Sequence, residues 1–360
     1  MKKEFVKLHN NEGLKLVSDD FRKLSMHRTT TPKIRSVRMS RASDKEEKRN
    51  GVEKALKKLA GYLDKMNHVE SEDADMVEQL DADGEYRDIK GSSVAHIHRT
   101  EFRDFWLNVL KPDNYVKRII EEGYKLPLTE YPGEYEEKNN KSAVNEMQFV
   151  RTAVDEFLKK RAIRKLNAKP RCVNPLTVSV REVDEDRTKK RLCIDLSRWV
   201  NKFVTKESTK LIGLEKSCQI LLPGDLQATY DLSAAYHHIK IHKDHRTLLC
   251  FNVPDQNGDP QYYEFQVMPF GLASATQCLA RVTKPVCAYL ASKGIRHSLY
   301  IDDGKVNANA TDMERHLRCT LETLKAAGFI VAPKKTDSAS TASTRKEYLG
   351  FIVDSIEMKI

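Results

Sequence analysis

Two adjacent aspartates followed by a glycine interrupt a run of strand-forming residues near the end of the chain. The segment 297–309 reads HSLYIDDGKVNAN, and Asp302 and Asp303 follow Leu299, Tyr300 and Ile301, which favour β-strands. Asp-Gly is a dipeptide that tight hairpins favour, so the segment predicts a hairpin turn at Asp303-Gly304. The two charges repel by about 1 kcal/mol at roughly 4 Å in water, but by about 4 kcal/mol when partly buried. The motif alone leaves open a solvated turn and a buried pair that requires a cation.

Short strand-forming runs alternate with helical ones through the second half of the chain. Helices are predicted near 145–161, 272–293 and 312–327, and the runs PLTVSV and RLCIDL flank the charged turn REVDEDRTKK as a hairpin. The runs lack the regular spacing of βαβ units. The pattern therefore predicts an α+β fold with an antiparallel sheet.

The composition divides the chain into three parts. Residues 1–95 are predicted to be a largely disordered or helical N-terminal extension, 96–144 a leader segment that packs on the third part, and 145–360 a compact domain. A helix is predicted at 46–68, either packed on the domain or part of a coiled coil. Its apolar stripe consists of Val52, Leu56, Leu59, Leu63 and Met66.

The charge and cysteine content limit the classes of partner and compartment. The net charge is +10, and residues 141–360 account for all of it. A basic compact domain indicates a polyanionic partner, although charge serves solubility equally well. The seven cysteines are scattered and form no CxxC pair, which favours free thiols in a reducing compartment over disulfides or zinc. No apolar leader or membrane-length run occurs, so we expect an intracellular protein, cytoplasmic or nuclear, with no membrane partner.

Four further segments accompany the aspartate pair. They read KKRLCIDLSRWVNKFV, ATYDLSAAYHHIKI, YYEFQVMPFGLASATQ and RKEYLGFIVDS. In this order, and together with YIDD, they resemble the blocks of reverse transcriptases over roughly residues 145–360. YIDD resembles the YxDD box, YDLSAAY the box with the first metal aspartate, and MPFGL the box that faces template and nucleotide. GFIVAPKKT resembles the lysine-bearing segment and EYLGF the primer grip. One such match occurs by chance, whereas five in order are specific.

The upstream runs favour one subgroup. EEGYKLPL, KNNKSA and VNPLTVSV, with YIDDG, most resemble DIRS-type retrotransposons, which encode a tyrosine recombinase. The resemblance implies a right-hand polymerase architecture, with fingers formed by the hairpin region and a palm built on a ferredoxin-like sheet. Because the sequence ends at SIEMKI, we expect the thumb, an RNase H domain and the recombinase to be absent from this chain.

The resemblance implies a metal site at the aspartates. Asp231 and Asp302 would bridge two Mg²⁺ ions, or Mn²⁺, with Asp303 in support and the Leu232 carbonyl as a further ligand. A site with a small number of carboxylates, completed by phosphate oxygens and water, suits magnesium. Lys335 is expected to protonate the leaving pyrophosphate, with Lys334 as its rival and a solvated lysine pair as the alternative.

The resemblance also implies residues that bind deoxynucleotide and primer. These are Lys190 and Arg191 for the triphosphate, Tyr236 as the gate against a ribose 2′-hydroxyl, Phe270 and Gly271 facing the new base pair, and Tyr348, Leu349 and Gly350 as the primer grip. A solvated hairpin tip and a packed core tyrosine are the alternatives for the first two roles. The segment from Asp195 to Asn201 is one residue longer than in the family, which leaves the second basic residue open.

These observations predict an RNA-directed DNA polymerase domain of a retroelement. Its partners would be an RNA template, a DNA primer or RNA–DNA hybrid, and deoxynucleoside triphosphates. The alternative is a truncated or repurposed copy that binds nucleic acid without catalysis. His237, His238, His242 and His245 are interpreted as structural. The sequence does not indicate the oligomeric state.

Overall fold

The computed structural model describes residues 42–72, 94–184, 187–205 and 211–360. Most of residues 1–95, for which disorder or helix is predicted, lies outside these ranges. The helices are α1 (Ala42–Glu72), α2 (Thr100–Asp104), α3 (Asn114–Glu122), α4 (Lys141–Asn145), α5 (Met147–Lys159), α6 (Val200–Phe203), α7 (Leu214–Gln219), α8 (Lys243–Arg246), α9 (Ala275–Ser292) and α10 (Met313–Ala326). A π-helix, Phe105–Leu110, continues α2, and single 3-10 turns lie at His96–His98, Ala235–His238, Pro333–Lys335 and Ala339–Thr341.

The strands are short and mostly antiparallel. They are β1 (Tyr135–Glu136), β2 (Ile163–Leu166), β3 (Cys172–Val173), β4 (Leu176–Asp184), β5 (Arg187–Ile194), β6 (Leu226–Asp231), β7 (Cys250–Pro254), β8 (Pro260–Phe265), β9 (Arg296–Tyr300), β10 (Asp303–Ala308), β11 (Arg345–Tyr348) and β12 (Phe351–Asp354). Among the described strands the sheet orders are β6-β10-β9, β2-β8-β7, β4-β5, β11-β12 and β1-β3, and of these pairings only the last is parallel. The mixed α+β class and the hairpin β4–β5 are therefore confirmed.

The central sheet, β6-β10-β9, consists of β6 and the hairpin β9–β10, with α9 directly before β9 and α10 directly after β10 in the chain. The side chains of β6 and β10 alternate between two faces. Ala228, Tyr230 and Val306 occupy one face, are buried, and belong to the hydrophobic core that includes α9 and α10. Beyond β6, an isolated bridge joins Leu232 to Val331. The opposite face carries Asp231 and Asp303, and we call it the carboxylate face.

The N-terminal part of the described chain shares this core. Helix α1 packs on α10, with Val52 and Leu59 fully buried, so the predicted helix at 46–68 is confirmed as a packed helix. In the leader segment, Trp106 is completely buried and its indole N–H donates to the Ala327 carbonyl at 2.9 Å. A buried indole requires such an acceptor, and this one ties the leader to the end of α10.

Two negative predictions are tested by the described residues. The seven cysteines are free thiols, as predicted. Within the described ranges, no helix is both long and apolar enough to cross a membrane.

Candidate active site

The three aspartates meet at one edge of the central sheet. Asp231 ends β6 and Asp303 begins β10, and the two residues are directly paired across the antiparallel ladder. Asp302 lies in the turn before Asp303, and its carbonyl accepts the Leu232 N–H at 2.8 Å. Pairing β6 with the β9–β10 hairpin therefore brings together carboxylates that are some seventy positions apart in the sequence.

The turn that holds Asp302 is not the one predicted. Tyr300 pairs with Asp303, so Ile301 and Asp302 form a two-residue turn and Gly304 already lies within β10. The predicted turn at Asp303-Gly304 is therefore wrong. Glycine is required at 304 for a steric reason instead, because a Cβ there would overlap the ring of Tyr230 on β6. Ile301 instead adopts a positive φ of 58°, which is unfavourable for a β-branched residue. Such strain, held by the surrounding sheet, is typical of functional sites.

The electrostatics show that the aspartate pair is not a solvated turn. Burial raises the pKa of Asp302, a backbone hydrogen bond lowers it, and the charge of Asp231 raises it. Burial, then the charges of Asp302 and Asp231, raises the pKa of Asp303. All three residues are partly buried. This cluster of like charges is stabilised by a cation, as expected for the second alternative that the sequence left open.

Lys335 is the cation in contact with the cluster. Its Nζ donates to a carboxylate oxygen of Asp231, and its side chain is otherwise exposed. The lysine lies on the 3-10 turn Pro333–Lys335, which is held beside β6 because the Ala332 N–H donates to the Asp231 carbonyl at 2.8 Å. Lys334, its rival, is exposed on the same turn.

The donor set suits a hard divalent cation. Carboxylate oxygens are ligands that Mg²⁺ accepts alongside water and phosphate. In the described residues, no group of three or more His, Cys, Asp or Glu side chains is arranged so that it could hold a metal ion without further ligands from outside the chain.

An aromatic pair adjoins Asp302. Tyr236 is half-buried, its hydroxyl hydrogen-bonds the Thr276 hydroxyl at 2.9 Å, and its ring meets that of Phe270 edge-on with centroids 5.3 Å apart. Burial raises the pKa of Tyr236, the Thr276 bond lowers it, and the nearby charge of Asp302 raises it further. The structure thus brings Tyr236 and Phe270 together beside the aspartates.

The turn after Phe270 depends on glycine and on a residue that the sequence reasoning did not assign. Gly271 has φ 111°, and a Cβ there would overlap the Ile194 carbonyl oxygen. The Asn201 side chain donates to the Gly271 carbonyl at 2.8 Å and accepts the Ala273 N–H at 2.9 Å. Asn201 appeared in the sequence only as a spacing marker, and its position before MPFGL in the chain offered no sign of this contact.

The two basic candidates on β5 point in opposite directions. Lys190 pairs at 2.7 Å with Glu146, the residue between α4 and α5, and β4 packs against α4. Arg191, the next residue, lies on the other face, is exposed, and its charge lowers the pKa of Asp302. Of the two β5 residues, Arg191 is therefore the one that faces the carboxylates.

An open cleft of about 1060 Å³ connects the carboxylates to the hairpin β11–β12. Leu349 and Gly350 form the turn of that hairpin, both with positive φ, and the Tyr348 hydroxyl donates to the Asp303 carbonyl at 3.1 Å. The cleft is lined by Gly213, Leu214, Thr229, Tyr230, Asp231, Tyr300, Asp303, Gly304, Lys335, Lys346, Glu347, Tyr348, Leu349, Gly350 and Phe351. The structure therefore places the predicted primer-grip residues across one cleft from Asp231 and Asp303.

Comparisons with known proteins point to one family. The family described as reverse transcriptase (RNA-dependent DNA polymerase) matches residues 159–353. The Tf2-3 and Tf2-4 transposon polyproteins of Schizosaccharomyces pombe are each 23% identical over 220 residues, which is 61% of this chain and 15% of each relative. The chain thus spans about 15% of the length of the curated relatives it matches.

Proposed function

This chain belongs to the reverse transcriptase (RNA-dependent DNA polymerase) family, and on that basis we propose that it adds deoxynucleotides to a primer on an RNA template as part of a retroelement. The observation that carries the proposal is the meeting of Asp231, Asp302 and Asp303 at the edge of a cleft with Lys335 and Arg191 nearby. Carboxylates with flanking cations suit phosphoryl transfer, in which positioning and charge stabilisation supply most of the rate.

We assign the metal-binding role to the carboxylates. Asp231 and Asp302 would hold two Mg²⁺, or Mn²⁺, with Asp303 and the Leu232 carbonyl in support. The ions would activate the primer 3′-hydroxyl and neutralise charge on the leaving pyrophosphate. The raised pKa values of Asp302 and Asp303 support this assignment, because a cluster with such values favours added positive charge.

Lys335 and Arg191 serve the triphosphate in this proposal. Lys335 Nζ, which donates to Asp231 in the structure, belongs to an exposed side chain at the cleft and would pass a proton to the leaving pyrophosphate oxygen. Arg191 would bind the β- and γ-phosphates through its planar guanidinium. Lys190, paired with Glu146 on the far face of β5, takes no part in this proposal.

The remaining residues orient the sugar, base and primer. Tyr236 would exclude a ribose 2′-hydroxyl, and its bond to Thr276 fixes the ring for that purpose. Phe270 and Gly271 would face the new base pair, where glycine permits close approach of the backbone. The turn after Tyr348, formed by Leu349 and Gly350, would hold the primer end.

The architecture proposed is that of a right hand. The central sheet with α9 and α10 would be a ferredoxin-like palm, and β4–β5 the fingers. We further propose a DIRS-type element, on the upstream runs EEGYKLPL, KNNKSA and VNPLTVSV. The gene order beside this sequence tests that assignment: a tyrosine recombinase frame supports it, and an integrase frame refutes it.

Primer extension tests the activity. The purified chain, a DNA primer annealed to RNA, Mg²⁺ and all four deoxynucleotides should yield extended primer, and Asp302→Asn should abolish it. Asp259→Asn is the matched control, because Asp259 is exposed in the β7–β8 loop. Salt-sensitive hybrid binding by a chain that never extends a primer would instead support the repurposed, non-catalytic alternative.

A further inference from the structure

The carboxylate face of the central sheet is polar well beyond the aspartates. By the register of β6 and β10, the residues that share this face are Gln227, Thr229, Lys305 and Asn307. Gln227, Lys305 and Asn307 are completely buried. Both amide atoms of Asn307 lack a hydrogen-bond partner among the described residues. A sheet face of this kind packs poorly on an apolar neighbour, so whatever covers it must be held by polar contacts.

The β11–β12 hairpin is the cover. Gln227 Nε2 donates to the Thr344 carbonyl at 2.9 Å and to the Val353 carbonyl at 3.0 Å, one contact just before the hairpin and one within it. Tyr348 adds the hydroxyl bond to the Asp303 carbonyl. The hairpin is thus fastened to the strands that carry Asp231 and Asp303.

Lys305 lies at the centre of this contact. Its Nζ donates to Gln227 Oε1 at 3.2 Å and lies 4.9 Å from the centre of the Tyr348 ring. Lys305 is completely buried, so its charge is poorly solvated there. Within the described ranges no carboxylate forms an ion pair with it, so the ring and the amide oxygen are its compensation.

We propose that Lys305 is a positioning residue, whose buried ammonium holds the Tyr348 ring and thereby sets where the Leu349–Gly350 turn stands over Asp231 and Asp303. The inference rests on the proposed function, because the turn matters only if a primer end lies in the cleft. Lys305 itself lines neither the cleft nor the carboxylate cluster, so it acts through Tyr348.

Replacing Lys305 with methionine separates this role from a structural one. Methionine keeps the approximate length of the side chain and removes a buried charge that has no ion-pair partner among the described residues, and burying such a charge is costly. We therefore expect an unfolding temperature no lower than that of the wild type, but a hairpin that is less firmly held. If Lys305 only supported the fold, Lys305→Met would instead lower the unfolding temperature and leave the hairpin held as firmly as in the wild type.

The experiment combines amide hydrogen exchange with kinetics for Lys305→Met, Tyr348→Phe and their combination. Lys359→Met, a change at an exposed lysine near the chain end, is the control. We expect about tenfold faster exchange in residues 345–354 of Lys305→Met with α10 unchanged, and a KM for primer–template about tenfold higher with kcat within threefold. Tyr348→Phe keeps the ring that Lys305 contacts and removes only the hydroxyl bond to the Asp303 carbonyl, so its effect should add to that of Lys305→Met.

Several outcomes overturn the inference. They are unchanged exchange in 345–354, equal acceleration in α10, or a fall in kcat with no change in KM. If the wild type extends no primer, the proposed function fails, while the exchange data still decide whether Lys305 holds the hairpin.

Discussion

Replacing Gly304 with alanine should damage both stability and the proposed activity, because the strand beside the Ile301–Asp302 turn leaves no room for a methyl group. A Cβ at 304 would lie less than 3.0 Å from three atoms of the Tyr230 ring, whereas carbon atoms in contact are about 3.5–4.0 Å apart. The strand or the ring must therefore move by at least about 0.5 Å. Asp303, the adjacent residue, would move with the strand.

The ring of Tyr230 has little room to move. It is 2% exposed, its hydroxyl hydrogen-bonds His297 Nε2 at 2.5 Å, and the two rings stack with centroids 5.9 Å apart. Overpacking costs about 1–3 kcal/mol. Loss of the buried hydroxyl–imidazole bond adds about 1–3 kcal/mol, since both groups are then unpaired. Gly304→Ala should thus lower the free energy of unfolding by about 2–6 kcal/mol, a large part of the stability of an ordinary domain.

Urea unfolding with a double-mutant cycle tests the reasoning. Tyr230→Ala removes the ring, so Gly304→Ala in that background should cost less than about 1 kcal/mol. Gly61→Ala is the control: Gly61 is exposed in α1 with nothing within 4 Å, and alanine there should stabilise the protein by up to about 1 kcal/mol. An unfolding free energy of Gly304→Ala within about 0.5 kcal/mol of the wild type, or equal costs in both backgrounds, would refute the steric account.

Three single contacts lead to further predictions. His238 is fully buried, Nδ1 donates to the Ala235 carbonyl and Nε2 accepts the Ile330 N–H, so only the neutral ring fits. Burial lowers its pKa to about 3, below the unfolded value near 6.5, so its contribution is complete above pH 6.5 and is lost as the pH falls towards 3. At pH 5 this loss is about 2 kcal/mol, and His238→Gln should show a correspondingly smaller difference between urea curves at pH 7 and pH 5. Lys335→Met should slow single-turnover nucleotide addition by about 10²-fold and lower the Mg²⁺ concentration needed for half-maximal rate, because its ammonium no longer competes for Asp231; an unchanged rate would remove Lys335 as proton donor. Tyr236→Ala should raise ribonucleotide incorporation relative to deoxynucleotide, with Tyr236→Phe as the control that keeps the ring, and an unchanged ratio would remove Tyr236 as the gate.

The sequence was informative where the signal is local. The aspartate hairpin, the β4–β5 hairpin and the helices of 145–161, 272–293 and 312–327 could be predicted from period and turn chemistry, and all are present in the structure. The exact residues of the aspartate turn could not be predicted. Only the pairing of β6 with β10 shows that the Tyr230 ring fills the space beside Gly304.

Site residues that depend on tertiary contacts were the hardest to predict. Lys190 and Arg191 are equivalent in sequence, and only the position of Glu146 beside Lys190 in the fold distinguishes them. Asn201 and Lys305 carry no local pattern, since their partners at Gly271 and Tyr348 lie some seventy and forty positions away. The proposed role of Lys305 depends on its complete burial, and that burial results from the packing of the fold as a whole.

Single-turnover addition of one nucleotide is the decisive measurement for template-directed polymerisation at the three aspartates. Four RNA templates that differ only at the first unpaired base would each be offered all four deoxynucleotides singly, with the wild type and Asp231→Asn, and hybrid binding would be measured by fluorescence anisotropy. We expect the wild type to add only the complementary nucleotide. Asp231→Asn should bind the hybrid normally but add nucleotide at least about 10³-fold more slowly, in line with losses of this order at electrostatic catalytic groups. Addition by Asp231→Asn within threefold of the wild-type rate, or addition by the wild type that ignores the template base, would contradict the proposed function.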